Sequence, residues 1–502
     1  MEKKLNKNIK LLKDNAFFIN PVNIGFEEIT QKTQDITEQL HSSSYLKFCF
    51  NSNVTKIIGR ETFDSILELS SGNNDLGFFS YFIDEIKSDA EKTDYNLSNY
   101  SGGRGDYFTI NKMLLIENKL YERLTKKKNK YSVNNITLTF SGQGAYSAIA
   151  SYLKSSIHSK KNILFFDSTY CSNYKPFSRK DLNLKFIKTD KNKFLPKVSE
   201  LLKAINKNSS MLFLVKFHNP SGQFYSRNEL EQIIKKLKEC NVYLVYSEAY
   251  DYLSWDTKYD NHVISISEEL NYDKLIRVKT LSKDRGLAGL RAGYMIGPEE
   301  IVKHTIKFND EIAYNPPMIN NPIFIIHLYI TYFNATGKYI SDLNNEISNA
   351  KIRKISNKTK KNEIKQINYV KNNFQFILKE LFNKKMDKKL YGEYIENQKY
   401  GLVIPSGGIN CILRIKYLES FDEIDIFRKL YINTGLIMHS SKFILKKKDG
   451  YWIRITLSHK FQKIKKIISV LKELELNLSK SNNDYEFLNK NTIKVKIGGK
   501  YE

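Results

Sequence analysis

Between Asn135 and about Gly297 the chain alternates short apolar runs with amphipathic stretches: NITLTF, GAYSAIASYLKSSI, NILFF, LKFIKTD, MLFLVKF, ELEQIIKKLKEC, NVYLVY, KLIRVKT and AGYMIGP. The short runs are apolar almost throughout, as strands buried on both faces are, and the longer stretches place apolar residues at helical spacing. This rhythm predicts parallel βα units with helices on both faces of a sheet, and it puts ligand chemistry at the carboxyl ends of the strands. After Pro317 a mostly helical stretch with a polar insertion near 343 to 370 leads into GLVIPSGGINCILRIKYL and YWIRITLS, which read as strands of a smaller α+β domain. Near the start, GFEEITQKTQDITEQL sets Phe26, Ile29, Ile36 and Leu40 on one helical face, and the residues from about Ser479 form a polar tail.

Composition narrows the class. The 502 residues, 41% hydrophobic and 27% charged, describe a folded globular chain of several domains, with no internal repeats or heptads. No run of 18 apolar residues occurs and the first residues, MEKKLNKNIKLLKDNAFF, are charged throughout, so a cytoplasmic protein without a membrane span is expected. Cys49, Cys171, Cys240 and Cys411 form no CxxC pair and have no histidines close by, which signals neither a disulfide framework nor a metal site. The formal charge of +26 would suit a nucleic-acid partner, but the lysines are spread along the chain. The densest basic stretch, KIRKISNKTKKNEIKQ from Lys351, lacks interleaved aromatics and reads as a solvated helix or loop.

Three segments carry chemistry. KTLSKDRGLAGLRAGY follows a strand: a lysine at a strand end, glycines that let the backbone approach closely and an arginine eight residues on suit an aldehyde cofactor with a phosphate arm. Lys283 would be the Schiff-base amine, Arg291 the phosphate clamp, and Thr280 a further hydroxyl for the phosphate. In LTFSGQGAYSAIA, Ser141, Gly142, Gln143 and Gly144 stand between strand and helix, where open N–H groups hold phosphate; an ordinary serine-capped turn is the equal alternative. In LVKFHNPSGQFYSRNEL a buried strand ends at Asn219-Pro220, where Asn219 would donate to a ring oxygen or simply sit in a turn.

Taken together these segments resemble the class I/II aminotransferases, pyridoxal-phosphate enzymes of fold type I, over roughly Ile66 to Leu476. HNPSG resembles the family's Asn-Pro-x-Gly strand end, SGQGA its phosphate loop, and GLAGLR the end of its serine-lysine segment. The resemblance implies that Tyr170 in DSTYCSNYKPF stacks on the cofactor and that Tyr250 in SEAY bonds the cofactor's phenolic oxygen. It further implies that Tyr100, before SGGRG, reaches the phosphate of the neighbouring subunit, that Gly72 in LSSGNND borders the substrate and that Arg454 in YWIRITLS grips its carboxylate. A planar guanidinium suits that last task because it binds a carboxylate through two parallel hydrogen bonds, although a structural ion pair would use it too.

The fold so implied is α/β: a large domain whose mostly parallel sheet lies between helices, plus a smaller α+β domain. Its expected limits are an N-terminal helical extension over 1–60, the start of the small domain with the active-site loop over 61–125, and the large domain over 126–325. The C-terminal small domain with its polar insertion follows over 326–478, and a tail over 479–502. The implied activity is pyridoxal 5'-phosphate-dependent amino transfer between an α-amino acid and a 2-oxo acid in a cytoplasmic homodimer with shared sites. Elimination, decarboxylation, cyclisation or oxidation on the same scaffold is the nearest alternative, and a non-catalytic basic binding protein a remote one.

One position departs from the family. An aspartate usually faces the pyridine nitrogen and keeps it protonated; here Ser247 takes that place, in VYSEAY, and serine supplies no charge. Glu248 is adjacent, but successive strand residues point to opposite faces, so only a bulge would bring it round. A weaker electron sink is expected.

Overall fold

The computed structural model describes residues 67–68, 74, 76–84, 100–155, 161–178, 181–190, 193–256, 262–343, 347–420, 436–437 and 450–480. The expected N-terminal helix and the polar tail from 481 onward lie outside these residues. The chain divides into two units: one holds Asn73–Lys371 with Pro405–Ile409, the other Met1–Gly72, Asn372–Ile404 and Asn410–Glu502.

The larger unit is built on seven strands, β1 (Ile136–Phe140), β2 (Asn162–Phe166), β3 (Asn183–Ile187), β4 (Ser209–Val215), β5 (Tyr243–Ser247), β6 (Leu275–Thr280) and β7 (Ala292–Ile296), one for each apolar run. They lie in the order β1-β7-β6-β5-β4-β2-β3. All neighbours are parallel except β7, which runs antiparallel to both β1 and β6. The reason is local: parallel neighbours need a long crossover, commonly a helix, whereas between β6 and β7 the chain forms only a 3-10 turn at Ala288–Leu290.

Alternation along the strands sorts side chains to the two faces. Leu212, Leu214, Leu244 and Tyr246 pack with Leu230, Ile233, Ile234 and Leu237 of α3 (Arg227–Glu239) and with Val263, Ile264 and Ile266 of α4 (His262–Glu269). Phe213, one residue out of phase, meets the ring of Tyr146 in α2 (Ser141–Ser155) at 5.0 Å between centroids. At the other end of the sheet Ile136, Leu138, Tyr294 and Ile296 share a core with α1 (Tyr107–Thr125), α6 (Asn321–Thr336) and Ile352 and Ile355 of α7 (Asn349–Phe382). Burying each such side chain contributes about 1.5 to 3 kcal/mol. Between α4 and α6, α5 spans Glu299–Ala313.

Local signals set the ends of these helices. A capping box pairs Ser226 with Glu229 at the start of α3, and Gly337, at φ +68°, closes α6. The polar stretch 343 to 370 falls mostly within α7, whose buried Ile352, Ile355, Thr359 and Val370 recur at helical spacing.

The smaller unit contains β8 (Tyr394–Glu396), β9 (Tyr400–Val403), β10 (Asn410–Ile415) and β11 (Trp452–Thr456), antiparallel in the order β11-β10-β9-β8. The helix α8 (Phe461–Lys480) follows β11. Within this unit Asn373 of α7 donates to the carbonyls of Leu457 and His459, at 2.7 and 2.9 Å.

Candidate active site at the strand ends

Three adjacent parallel strands deliver polar residues to one edge of the sheet. β4 runs on to Asn219, β5 ends at Ser247 and continues to Tyr250, and β6 ends at Thr280, three residues before Lys283. Asn219 Nδ2 donates to the Tyr250 hydroxyl at 3.1 Å, and the Tyr170 backbone N–H donates to the Asn219 carbonyl at 3.0 Å. Tyr170, Asn219 and Tyr250 are therefore one cluster. The NPSG turn is held by the Gly222 N–H on the His218 carbonyl at 2.6 Å, with Gly222 at φ +69°, a conformation that favours glycine.

A second group surrounds the start of α2. Ser141 has φ +66°, and its Oγ accepts from Arg291 Nη2 at 2.5 Å. Arg291 is oriented from its own turn, where Nη1 donates to the Ala288 carbonyl at 2.8 Å. The close approach depends on Gly293: a Cβ there would lie 2.6 Å from the Ser141 backbone. A helix start with no acidic residue in its first turn, a hydroxyl and a guanidinium thus converge, with Gly142 and Gln143 supplying first-turn backbone. Such a donor set suits a phosphate.

The lysine segment is fixed by its backbone. Asn74 Nδ2 donates to the Lys283 carbonyl at 2.8 Å, and Gly286, at φ +66°, turns the chain where a Cβ would lie 3.1 Å from the Asn74 carbonyl. The Thr280 hydroxyl donates to the Ala292 carbonyl at 3.0 Å and lies 2.8 Å from Ser282 Oγ. Its proton is thereby engaged within the chain. Next to Lys283, Arg285 is buried between Phe79 and Tyr252 and pairs with Glu363 at 2.6 Å, while burial pushes the Asp284 carboxyl up to about 7.

Ser247 and Glu248 part company as the alternation predicts. Ser247, buried on the α2 face, accepts from the Tyr146 hydroxyl at 2.7 Å. β5 pairs with β4 and β6 through Ser247 without a register shift, so there is no bulge to turn Glu248 round. Glu248 instead accepts from Arg277 Nε and Nη2 at 3.1 and 3.2 Å, with Lys279 at 3.4 Å. Arg277 also meets Glu117, which takes a hydrogen bond from Tyr294. Burial alone would raise the Glu117 carboxyl, but Arg277 and Lys279 outweigh it and hold the group below the usual range.

Three expected residues belong to neither of these groups of contacts. Tyr100 is 78% exposed and its ring lies 5.2 Å from that of Tyr314. Its loop is anchored to α5: the Gly103 N–H donates to Asp310 at 2.6 Å, and Asn309 donates to the Gly103 carbonyl at 2.7 Å. Arg454 is buried in β11 of the smaller unit, opposite Ile412. Gly72 lies outside the described residues. Tyr146, Ser282 and Asn74 were not anticipated. The signal for Tyr146 was its position four residues after Gly142 on one helical face, where the glycine leaves room.

Among the described residues no group of histidine, cysteine and carboxylate side chains is arranged for a metal, and no helix is long and apolar enough to cross a membrane. The family model for aminotransferase class I and II matches residues 64–471. Among curated relatives, a histidinol-phosphate aminotransferase of Pasteurella multocida is 26% identical over 237 residues, 47% of this chain and 58% of that protein. An aspartate aminotransferase of Sulfurisphaera tokodaii is 27% identical over 38% of this chain and 46% of its own length. The matched region thus spans about half the length of these relatives. The aspartate aminotransferase of Thermotoga maritima superposes with a TM-score of 0.63 at 14% identity, covering 89% of this chain and 99% of that one. An aromatic aminotransferase of Pyrococcus horikoshii gives 0.64 at 14% identity, over 82% and 96%. With the family model spanning most of its length, the chain belongs to the class I and II aminotransferase family.

Proposed function

We propose that this chain is a pyridoxal-phosphate-dependent aminotransferase that moves an amino group from an α-amino acid to a 2-oxo acid, and that it works as a homodimer. The observation that carries the reading is the convergence of Ser141, Arg291 and the start of α2, on the same sheet whose neighbouring strand ends bring Asn219, Tyr250 and Lys283 to one edge.

The donor set fits the cofactor chemically. The N–H groups at Ser141, Gly142 and Gln143, the Ser141 hydroxyl and Arg291 would hold the phosphate. Asn219 and Tyr250, already bonded to each other, would take the phenolic oxygen, the Tyr170 ring would lie against the pyridine, and Ser247 would meet its nitrogen. Pyridoxal phosphate supplies an aldehyde carbon for amines and a conjugated ring that takes up electron density. Lys283 would hold that carbon through its Nζ and, once displaced by substrate, carry the proton lost from the substrate's α-carbon. Arg454 would bind the substrate carboxylate through two parallel hydrogen bonds.

The exposed aromatics support the dimer. Tyr100, Tyr107, Phe108 and Tyr314 are each more than 60% exposed, and a surface of that kind invites a partner. A second chain lying there would bring Tyr100 to the partner's phosphate. The test is direct: purified protein with pyridoxal phosphate, a panel of amino acids and one 2-oxo acid should yield the new amino acid and the donor's own 2-oxo acid in equal amounts. Ammonia or carbon dioxide in place of that pair would favour elimination or decarboxylation on the same site, the reading that Ser247 makes the strongest competitor.

A further inference from the structure

The inference drawn here rests on that reading of the site and concerns the polarity of a buried hydroxyl pair. Tyr146 is 5% exposed and Ser247 2%. Their hydrogen bond runs from the Tyr146 hydroxyl to Ser247 Oγ at 2.7 Å. Burial pushes the Tyr146 phenol above its ordinary range, so it stays protonated and keeps the proton that this bond uses. A hydroxyl has one proton to give. With Oγ receiving from Tyr146, the Ser247 proton is not spent on that bond and is left to serve an acceptor at the carboxyl end of β5, where the neighbouring strands run on to Asn219 and Lys283. Buried donors are rarely left without an acceptor.

We propose that Ser247 donates its proton to the pyridine nitrogen of the cofactor, and that Tyr146 is the positioning residue that makes Ser247 a donor there. A donor suits an unprotonated ring nitrogen and opposes a protonated one, since two N–H and O–H protons would face each other. The ring nitrogen is therefore held neutral, not merely left without a counter-charge. The carboxylates that follow Ser247 in the chain are engaged elsewhere. Glu248 faces away, held by Arg277 and Lys279. Asp251 is paired with Lys216 and with Lys279, the latter at 3.3 Å. His218 is buried and driven down to about 3, so it is neutral as well. A neutral ring withdraws fewer electrons, so reactions that build less charge at the α-carbon gain relative to plain amino transfer.

The test is the nitrogen-15 resonance of ring-labelled pyridoxal phosphate bound to the full chain, followed against pH. Binding is established first, by the visible colour and by borohydride trapping. A chain that takes up no cofactor overturns both the reading of the site and this inference. If the cofactor binds, the ring nitrogen of the unmodified protein should be unprotonated through the neutral range and displaced from free pyridine by a hydrogen bond. Ser247→Ala should return it to the unbonded position and Ser247→Asp should protonate it. Tyr146→Phe, which frees Ser247 to accept, should raise the nitrogen's titration midpoint by about one pH unit. A protonated nitrogen in the unmodified protein, or a Tyr146→Phe midpoint equal to it, overturns the hydroxyl pair while leaving the cofactor site standing. Should Tyr146→Phe fail to fold, the contrast between the unmodified chain and Ser247→Ala decides alone: identical resonances refute the donated hydrogen bond.

Discussion

Arg277 grips Glu248 with two hydrogen bonds, 3.1 and 3.2 Å long, on the sheet face opposite the one where Ser247 meets Tyr146. The guanidinium also reaches Glu117 at 3.2 Å, so two carboxylates and one arginine form a buried set in which Glu248 has a structural partner.

Removing that carboxylate should therefore lower stability and leave the cofactor's electronics alone. Glu248→Gln should cost about 3 to 5 kcal/mol, the range for breaking a buried ion pair from one side, as read by chemical denaturation. The ring nitrogen of bound cofactor should titrate as in the unmodified chain. A changed nitrogen with unchanged stability would mean that Glu248 serves the ring after all.

Arg291 should govern cofactor affinity. Its hydrogen bond to Ser141 Oγ places it at the start of α2. Loss of one charge-assisted phosphate contact costs about 1.5 to 3 kcal/mol, so Arg291→Ala should weaken pyridoxal phosphate about 10- to 100-fold in an equilibrium titration. Unaltered affinity would remove Arg291 from the phosphate site.

The exposed Tyr100 should act across the dimer. An inactive Lys283→Ala chain mixed with an inactive Tyr100→Phe chain should regain part of the activity, because the hybrid contains one site with both residues intact. Sedimentation should show a dimer. No recovery despite proven hybrids would confine Tyr100 to its own subunit.

Asp284 gives a pH signature. Burial raises its carboxyl to about 7, above the unfolded value of about 4. A raised acid favours the fold fully below the unfolded value, and this contribution fades as pH climbs through about 7. Asp284→Asn should thus gain about 1 to 3 kcal/mol relative to the unmodified chain near pH 8 and nothing near pH 4. A difference that stays constant with pH would show that the carboxyl does not titrate in this window.

The sequence made some of this arrangement legible and hid the rest for identifiable reasons. The apolar runs became strands, most of them buried along nearly their whole length, while the edge strand β3 (Asn183–Ile187) is largely open. The opposed directions of Ser247 and Glu248 followed from strand alternation alone. Ser141 and Arg291, 150 residues apart, were joined only because both sit in short glycine-bearing motifs. Tyr146 escaped notice as one of 32 tyrosines, its role depending on a strand that begins nearly a hundred residues later. The polar stretch 343 to 370 read as an insertion because its lysines outnumber Ile352, Ile355 and Val370, the residues that seat the helix. The direction of β7 depends on what the connection lacks, and apolar patterning does not record that.

The proposed reaction turns on Lys283 as the residue that holds the cofactor. Protein incubated with pyridoxal phosphate, reduced with borohydride and digested should yield one modified peptide, the one containing SKDRGLAGLR with the label on Lys283, and Lys283→Ala should yield none. A label on any other lysine, or an unlabelled Lys283 in protein that turns over amino acids, would contradict it.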